Sequence, residues 1–177
     1  QILKWIEQSK EMATNAATDL GLLNAARDAH IDAHKYDHAV KLAANEISKG
    51  SINDLLTDAL PYQAKVAADN GLELIMYEGG THVVGLADWV NNTELTAFFN
   101  HLNYTDEMGD LYTKLLQEWR GLGGTMFNAF VDVANASKWG SWGALRHLDD
   151  SNPRWDSLSD FNLNTPAWWS DRPDISF

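Results

Sequence analysis

A single carboxylate stands at the end of a short apolar run, immediately before two glycines, in the stretch Leu72-Glu73-Leu74-Ile75-Met76-Tyr77-Glu78-Gly79-Gly80-Thr81-His82. Read as a strand, this run carries Glu78 to its carboxyl end, the position where ligands meet parallel sheets flanked by helices. There a carboxylate is placed for catalysis. The plainer reading is a carboxylate that caps a helix or pairs with a cation in a loop. Adjacent glycines weigh against that reading, because they permit close approaches and backbone conformations that a side chain would block. A second group with chemistry is aromatic: Trp139 and Trp142 lie three apart among small residues in Ser137-Lys138-Trp139-Gly140-Ser141-Trp142-Gly143. Aromatic faces suit sugar rings, whose C–H faces are apolar while their hydroxyls need polar partners. Tyr77, His82 and Asn128 are the candidate hydrogen-bonding residues beside Glu78. The alternative for the two tryptophans is simple filling of a loop core.

A third group is His30, His34 and His38, four apart in helical sequence, with Asp32 and Asp37 as candidate oxygen ligands. Histidines spaced this way on one helical face can chelate a divalent metal. No HExxH-type pattern accompanies them, so a polar face of a surface helix is the preferred reading and no metal or other cofactor is expected.

The elements that must position these groups follow from hydropathy. Leu72 to Tyr77 is nearly continuous in apolar character and is bounded by Asn70-Gly71 and Gly79-Gly80, which predicts a strand covered on both faces. Strict alternation puts Leu74, Met76 and Glu78 on one face and Ile75 and Tyr77 on the other. Residues 106–119 predict a helix whose stripe Met108, Leu111, Tyr112, Leu115, Leu116, Trp119 falls at helical spacing. Gly121 to Gly124 breaks it, and Thr125–Val133 predicts a second buried strand, parallel to the first through a right-handed crossover. Before these units, residues 1–50 read as helix, with Gly21 a break and Gly50 a stop. Residues 51–70 predict another helical unit that Pro61 either kinks or restarts. Pro153 begins a last helix reaching about Phe161, followed by an extended segment rich in Pro and Trp. The expected organisation is a helical segment over 1–50, sheet-and-helix units carrying the site over 51–162, and a tail over 163–177.

Composition narrows the partners. The chain has 177 residues, a net charge of -12 and no cysteine. Such acidity argues against nucleic acid, which demands a basic footprint, and against anionic membranes. No apolar run reaches the length of about 18 residues needed to span a bilayer. The absence of cysteine excludes disulfides and thiolate metal sites. The chain starts with Gln and has no signal peptide of its own, which reads as part of a larger or processed protein.

The order of these features resembles a known family. A strand ending in Glu, a helix, a strand with a tryptophan downstream, then Trp-Gly-x-Leu and a Pro-x-Trp helix resembles the seventh and eighth strands of the (β/α)8 barrels of clan A retaining glycoside hydrolases. The resemblance covers roughly residues 55 to 162. It implies an α/β fold, the C-terminal portion of a TIM-type barrel, with Glu78 as catalytic nucleophile and Trp139 or Trp142 flooring a sugar site. It further implies a carbohydrate substrate and an extracellular setting. Retaining hydrolysis needs a second carboxyl about 5–5.5 Å away, which the family supplies as an Asn-Glu pair ending an earlier strand. Asn45-Glu46 is the only such pair here, but it lies in helical sequence too close before Glu78. A chain of 177 residues is also shorter than the roughly 200 or more that a full barrel needs. The chain alone is therefore expected to be inactive. Its exposed strand edge is expected to be covered by dimerisation or by the missing first half of the barrel. A non-catalytic carbohydrate-binding domain is the competing class.

Overall fold

A computed structural model describes residues 1–169. Three helices open the chain: α1 (Ile2–Asp19), α2 (Asn24–His34) and α3 (Asp37–Lys49). α1 buries Ile6, Ser9, Ala13 and Ala17, and α3 buries Ala39, Val40, Ala43 and Ala44, so each turns one stripe of small residues inward. The buried Ser9 hydroxyl accepts the His38 N–H at 3.0 Å, satisfying one of the free donors at the start of α3.

α4 (Ser51–Asp54) leads through a single π-helical turn, Leu55–Ala59, into α5 (Leu60–Asp69). Pro61 stands in the first turn of α5, as the restart reading expected, with the π-helical turn rather than a loop ahead of it. Its ring clashes with the carbonyl four residues back in a regular helix, and it has no N–H to donate. The wider turn just ahead of it lets helix continue across the proline. α5 ends in paired bonds, Leu72 N–H to the Ala67 carbonyl (2.9 Å) and Gly71 N–H to that of Ala68 (3.1 Å). Gly71 takes φ +63, the left-handed conformation that this cap requires. The chain leaves it directly into β1 (Leu74–Gly79).

Beyond β1, a 3-10 turn (Ala87–Asn91) precedes α6 (Thr93–Leu102), α7 (Asp106–Gly121), β2 (Gly124–Ala129) and α8 (Pro153–Asn164). Asn92 caps α6 by accepting the Leu95 N–H at 2.9 Å. α7 joins the two parts of the core. Its first half, Met108, Leu111 and Tyr112, packs with Tyr36, Val40, Phe98, Phe99 and Leu102. Its second half, Leu115 and Trp119, packs with Leu60 and against Leu74, Met76 and Phe127 of the strands. The Trp119 and Phe127 rings meet edge to face at 5.9 Å. Gly124 allows this, since a Cβ there would lie 2.2 Å from the Trp119 indole.

β1 and β2 pair in parallel, with Leu74 opposite Gly124, Met76 opposite Phe127 and Gly79 opposite Ala129. They form the sole sheet among the described residues. The expected C-terminal portion of a (β/α)8 barrel is not present. The chain is helix-rich, with one small two-stranded parallel sheet packed on helices along one face. The apolar strands suggested cover on both faces, but Ile75, Tyr77 and Met126 are 50%, 77% and 52% exposed. β2 also stops at Ala129, short of Val133, because the backbone beyond it turns to bond the 142–145 loop. Of the tail expected over 163–177, α8 takes the first two residues, and residues 170–177 lie outside the described residues.

Candidate functional site

Glu78 reaches the surface through an irregularity in β1. Between Met76 and Gly79, β1 has one residue more than the matching interval of β2, from Phe127 to Ala129. A Cβ on Gly79 would lie 2.3 Å from the Phe127 ring and 2.9 Å from Met76 Cγ. Gly79 therefore shares the helix-packed face with Met76, and Tyr77 and Glu78 together absorb the extra residue. Both are exposed. This corrects the alternation that grouped Glu78 with Leu74 and Met76, since a bulge shifts the face of every residue beyond it.

The loop after Glu78 is pinned from below by α7. Tyr112 accepts the Thr81 N–H on its hydroxyl at 3.0 Å, and a Cβ on Gly80 would lie 2.8 Å from that oxygen. Gly80 has φ +136, so a side chain there is excluded by conformation as well as by space. The exposed His82 follows, its ring 5.6 Å from that of Trp142. Phe130, just past β2, stands edge-on to Trp142 at 6.0 Å and donates its N–H to the Gly79 carbonyl at 2.9 Å. The carboxyl ends of both strands and the Trp142 loop thus meet on one side of the molecule.

Trp142 is held by buried polar groups of α8. Arg154 is fully buried. Its guanidinium donates to the Ser141 carbonyl (2.7 Å), to the Gly143 carbonyl and to Asn103 Oδ1 (3.1 Å). Two of these acceptors flank Trp142. Asn152 caps α8 through the Trp155 N–H (3.1 Å) and donates its amide to the Ala144 carbonyl (2.7 Å). Trp139 is placed differently. It sits on the tight turn Ser137–Gly140, is exposed, and carries the Lys138 ammonium 4.8 Å from its ring centre. Lys138 in turn donates to Asn91 Oδ1 at 2.6 Å, tying this turn to the loop that follows β1.

The structure therefore brings His82 and Trp142 together at the end of the sheet that carries Glu78, with Trp139 on the outer rim. Asn128 is committed elsewhere, since its amide donates to the Tyr77 carbonyl at 2.8 Å and braces the strand pair. Tyr77 lies on the open face of the sheet. Phe130 and Arg154 were not singled out from sequence, and Tyr112 only as part of the apolar stripe of α7. Arg154 carried a usable signal: a cation in the first turn of a helix opposes the helix dipole, so an arginine just after Pro153 implies a dedicated set of acceptors.

Two clefts lie away from Glu78. One, of about 450 Å³, lies among Trp5, Ile47, Trp89 and Phe99. The other, of about 460 Å³, lies behind β2 among Phe127, Trp155, Phe161 and Trp168. Neither is lined by Glu78, His82 or Trp142, and cleft size is a weaker guide to chemistry than convergent polar groups.

The three histidines do not share one helix. α2 ends at His34 and α3 begins at Asp37, so the spacing of four is interrupted before His38. Asp32 is taken by Lys35 at 2.5 Å, which holds its carboxyl below the usual range. Among the described residues no three His, Asp or Glu side chains are arranged to hold a metal ion, and no helix is long and apolar enough to cross a membrane. Comparison with known protein families, with curated proteins and with solved structures finds no match to this chain.

Proposed function

We propose that the surface at the carboxyl ends of β1 and β2 is one side of a carbohydrate site, with Glu78 the nucleophile of retaining glycoside hydrolysis and Trp142 the stacking wall. The observation that supports this reading is the gathering of a strand-end carboxylate, an imidazole and an indole on one side of the molecule, with Trp142 gripped by buried hydrogen bonds. A stacking platform must hold its orientation for binding energy to be usable in the reaction. The acid/base belongs to a further polypeptide in this reading. Asn45-Glu46 does not serve, because Glu46 lies within α3.

The reading has a direct test that needs no acid. A Glu78 oxygen attacks the anomeric carbon as the bond to the leaving oxygen breaks, and the leaving oxygen keeps the electron pair. A dinitrophenolate leaves without a proton, so a 2,4-dinitrophenyl glycoside should transfer its sugar to Glu78 in the chain alone. A panel of such glycosides should include one giving a burst of dinitrophenolate equal to the chain concentration. The chain should gain one glycosyl mass, mapped to the peptide holding Glu78, and Glu78→Gln should abolish both signals.

The competing reading is a carbohydrate-binding surface without chemistry. It is favoured by one observation: Glu78 makes no side-chain hydrogen bond or ion pair among the described residues, whereas catalytic carboxylates are held by neighbours. Oligosaccharide binding that Trp142→Ala removes, without any burst, would select it. Neither binding nor a burst would remove both.

A further inference from the structure

We propose that α2 carries a divalent transition-metal site formed by His30 and His34, with Asp37 orienting the second imidazole. The two residues are one helical turn apart, and their ring centres are 4.5 Å apart at an interplanar angle of 45°. With metal–nitrogen bonds of about 2.0–2.1 Å, a metal sits roughly 3.2 Å from each ring centre, and two ligands at about 90–110° have ring centres roughly 4.5–5 Å apart. The observed spacing matches this chelate. Asp37 supplies a helper: its Oδ2 lies 2.8 Å from His34 Nδ1. This bond fixes the tautomer and leaves Nε2 as the ligand atom, the outer-shell arrangement found around metal-bound histidines.

The rings open on a groove of about 270 Å³ lined by Met12, Ala13, Ala16, His30, His34 and His38. That space leaves the remaining coordination positions to water. Two imidazoles with open positions suit Cu(II), Ni(II) and Zn(II), at the upper end of the affinity order for nitrogen ligands, and do not suit Ca(II) or Mg(II). The site has a mechanical consequence. Alone among the α-helices longer than one turn, α2 contributes no buried residue. An ion bridging two of its turns binds only when the helix is formed, and so stabilises it by linkage.

The test is calorimetric titration of the whole chain with Zn(II), Ni(II) and Cu(II) chlorides at about pH 7.5, above the ordinary imidazole pKa of about 6.5. One saturable site is expected, accompanied by slower amide exchange in α2. His30→Ala and His34→Ala should each weaken binding by about 10-fold or more, and Asp37→Asn by up to about 10-fold. His38→Ala should leave affinity unchanged. Alanine is the best helix former, so these variants keep α2, and circular dichroism verifies it. Absence of saturable binding would overturn the proposal. So would binding that survives the double variant His30→Ala/His34→Ala, or that His38→Ala weakens as much as His34→Ala does.

Discussion

The two faces of the β1–β2 sheet have nearly the same composition and opposite surroundings. On one, Leu74, Met76 and Phe127 pack against Leu115 and Trp119 of α7. On the other, Ile75, Tyr77 and Met126 stand in solvent. Hydropathy therefore identifies strands with two apolar faces, while packing among the described residues accounts for only one. The contrast also separates two kinds of residue. Those on the helix face hold the fold, and those on the open face are available for contacts with something else, consistent with the proposal that further polypeptide completes the site.

Exchanging residues on the two faces should expose the difference most sharply. Trp119→Ala removes the centre of the lower core and should cost about 3–5 kcal/mol, read from the denaturant midpoint. Tyr77→Ala on the open face should cost no more than about 0.5 kcal/mol. Equal losses would mean that the open face is covered in solution.

The next largest effect concerns the grip on Trp142. Arg154→Met keeps much of the buried volume but strands the Ser141 and Gly143 carbonyls and Asn103 Oδ1. Each buried group left unpaired costs about 1–3 kcal/mol, partly recovered by relaxation or water. We expect a net loss of about 3 kcal/mol and a changed Trp142 indole N–H resonance. A loss of stability with that resonance unmoved would mean that Arg154 supports α8 without orienting the tryptophan.

These two variants also mark how far sequence reading reached. The stripe of α7 was legible because six apolar residues recur at helical spacing, and β1 was legible because Asn70-Gly71 and Gly79-Gly80 bound an apolar run. Neither the bulge at Tyr77-Glu78 nor the break at Lys35-Tyr36 was legible. A bulge arises from the mismatch of two strands distant in sequence, and the break carries no Gly or Pro. The barrel expectation failed for a related reason: apolar strands say that cover exists and not which element provides it. Glu78, His82 and the two tryptophans were singled out by residue type and spacing, and the structure places His82 and Trp142 at the end of the sheet that carries Glu78. Tyr112 acts through a backbone partner in another segment, which no local pattern reveals; the place of Arg154 in the first turn of α8 implies acceptors but does not say which segments supply them.

A smaller effect separates the Glu78 loop from the strands beneath it. Tyr112→Phe keeps the ring in the core and removes the acceptor for the Thr81 N–H. A cost of about 1 kcal/mol is expected, with faster amide exchange confined to residues 79–82. Exchange that quickens across β1 as a whole would show that the tyrosine supports the sheet instead.

The smallest effect lies far from the sheet, where Glu94 accepts from Lys10 and from the Tyr36 hydroxyl, each at 3.0 Å. Partial burial pushes the Glu94 carboxyl up, but the bonds from Lys10 and Tyr36 outweigh it and hold the carboxyl below its ordinary value. Its contribution is thus complete above the unfolded pKa of about 4.3 and is lost as pH falls through the lower folded value. The partly exposed pair should contribute at most about 1 kcal/mol. Glu94→Gln should flatten the stability profile below about pH 4.3. An unchanged slope there would rule this contact out as the source.

α7 touches both halves of the core, underlies the Glu78 loop through Tyr112, and buries Gly109 where a Cβ would lie 2.9 Å from the Pro153 carbonyl oxygen. One helix thus answers to four neighbours at once, while its positions Asp110, Thr113 and Gln117 stay exposed. Mutational drift along this segment should follow that division. Acceptable changes should recur every three to four residues, and the positions between them should tolerate change only when two or more partners shift together. A random library over residues 106–121, sorted for folded protein, should recover this rhythm before it recovers any preference tied to the site.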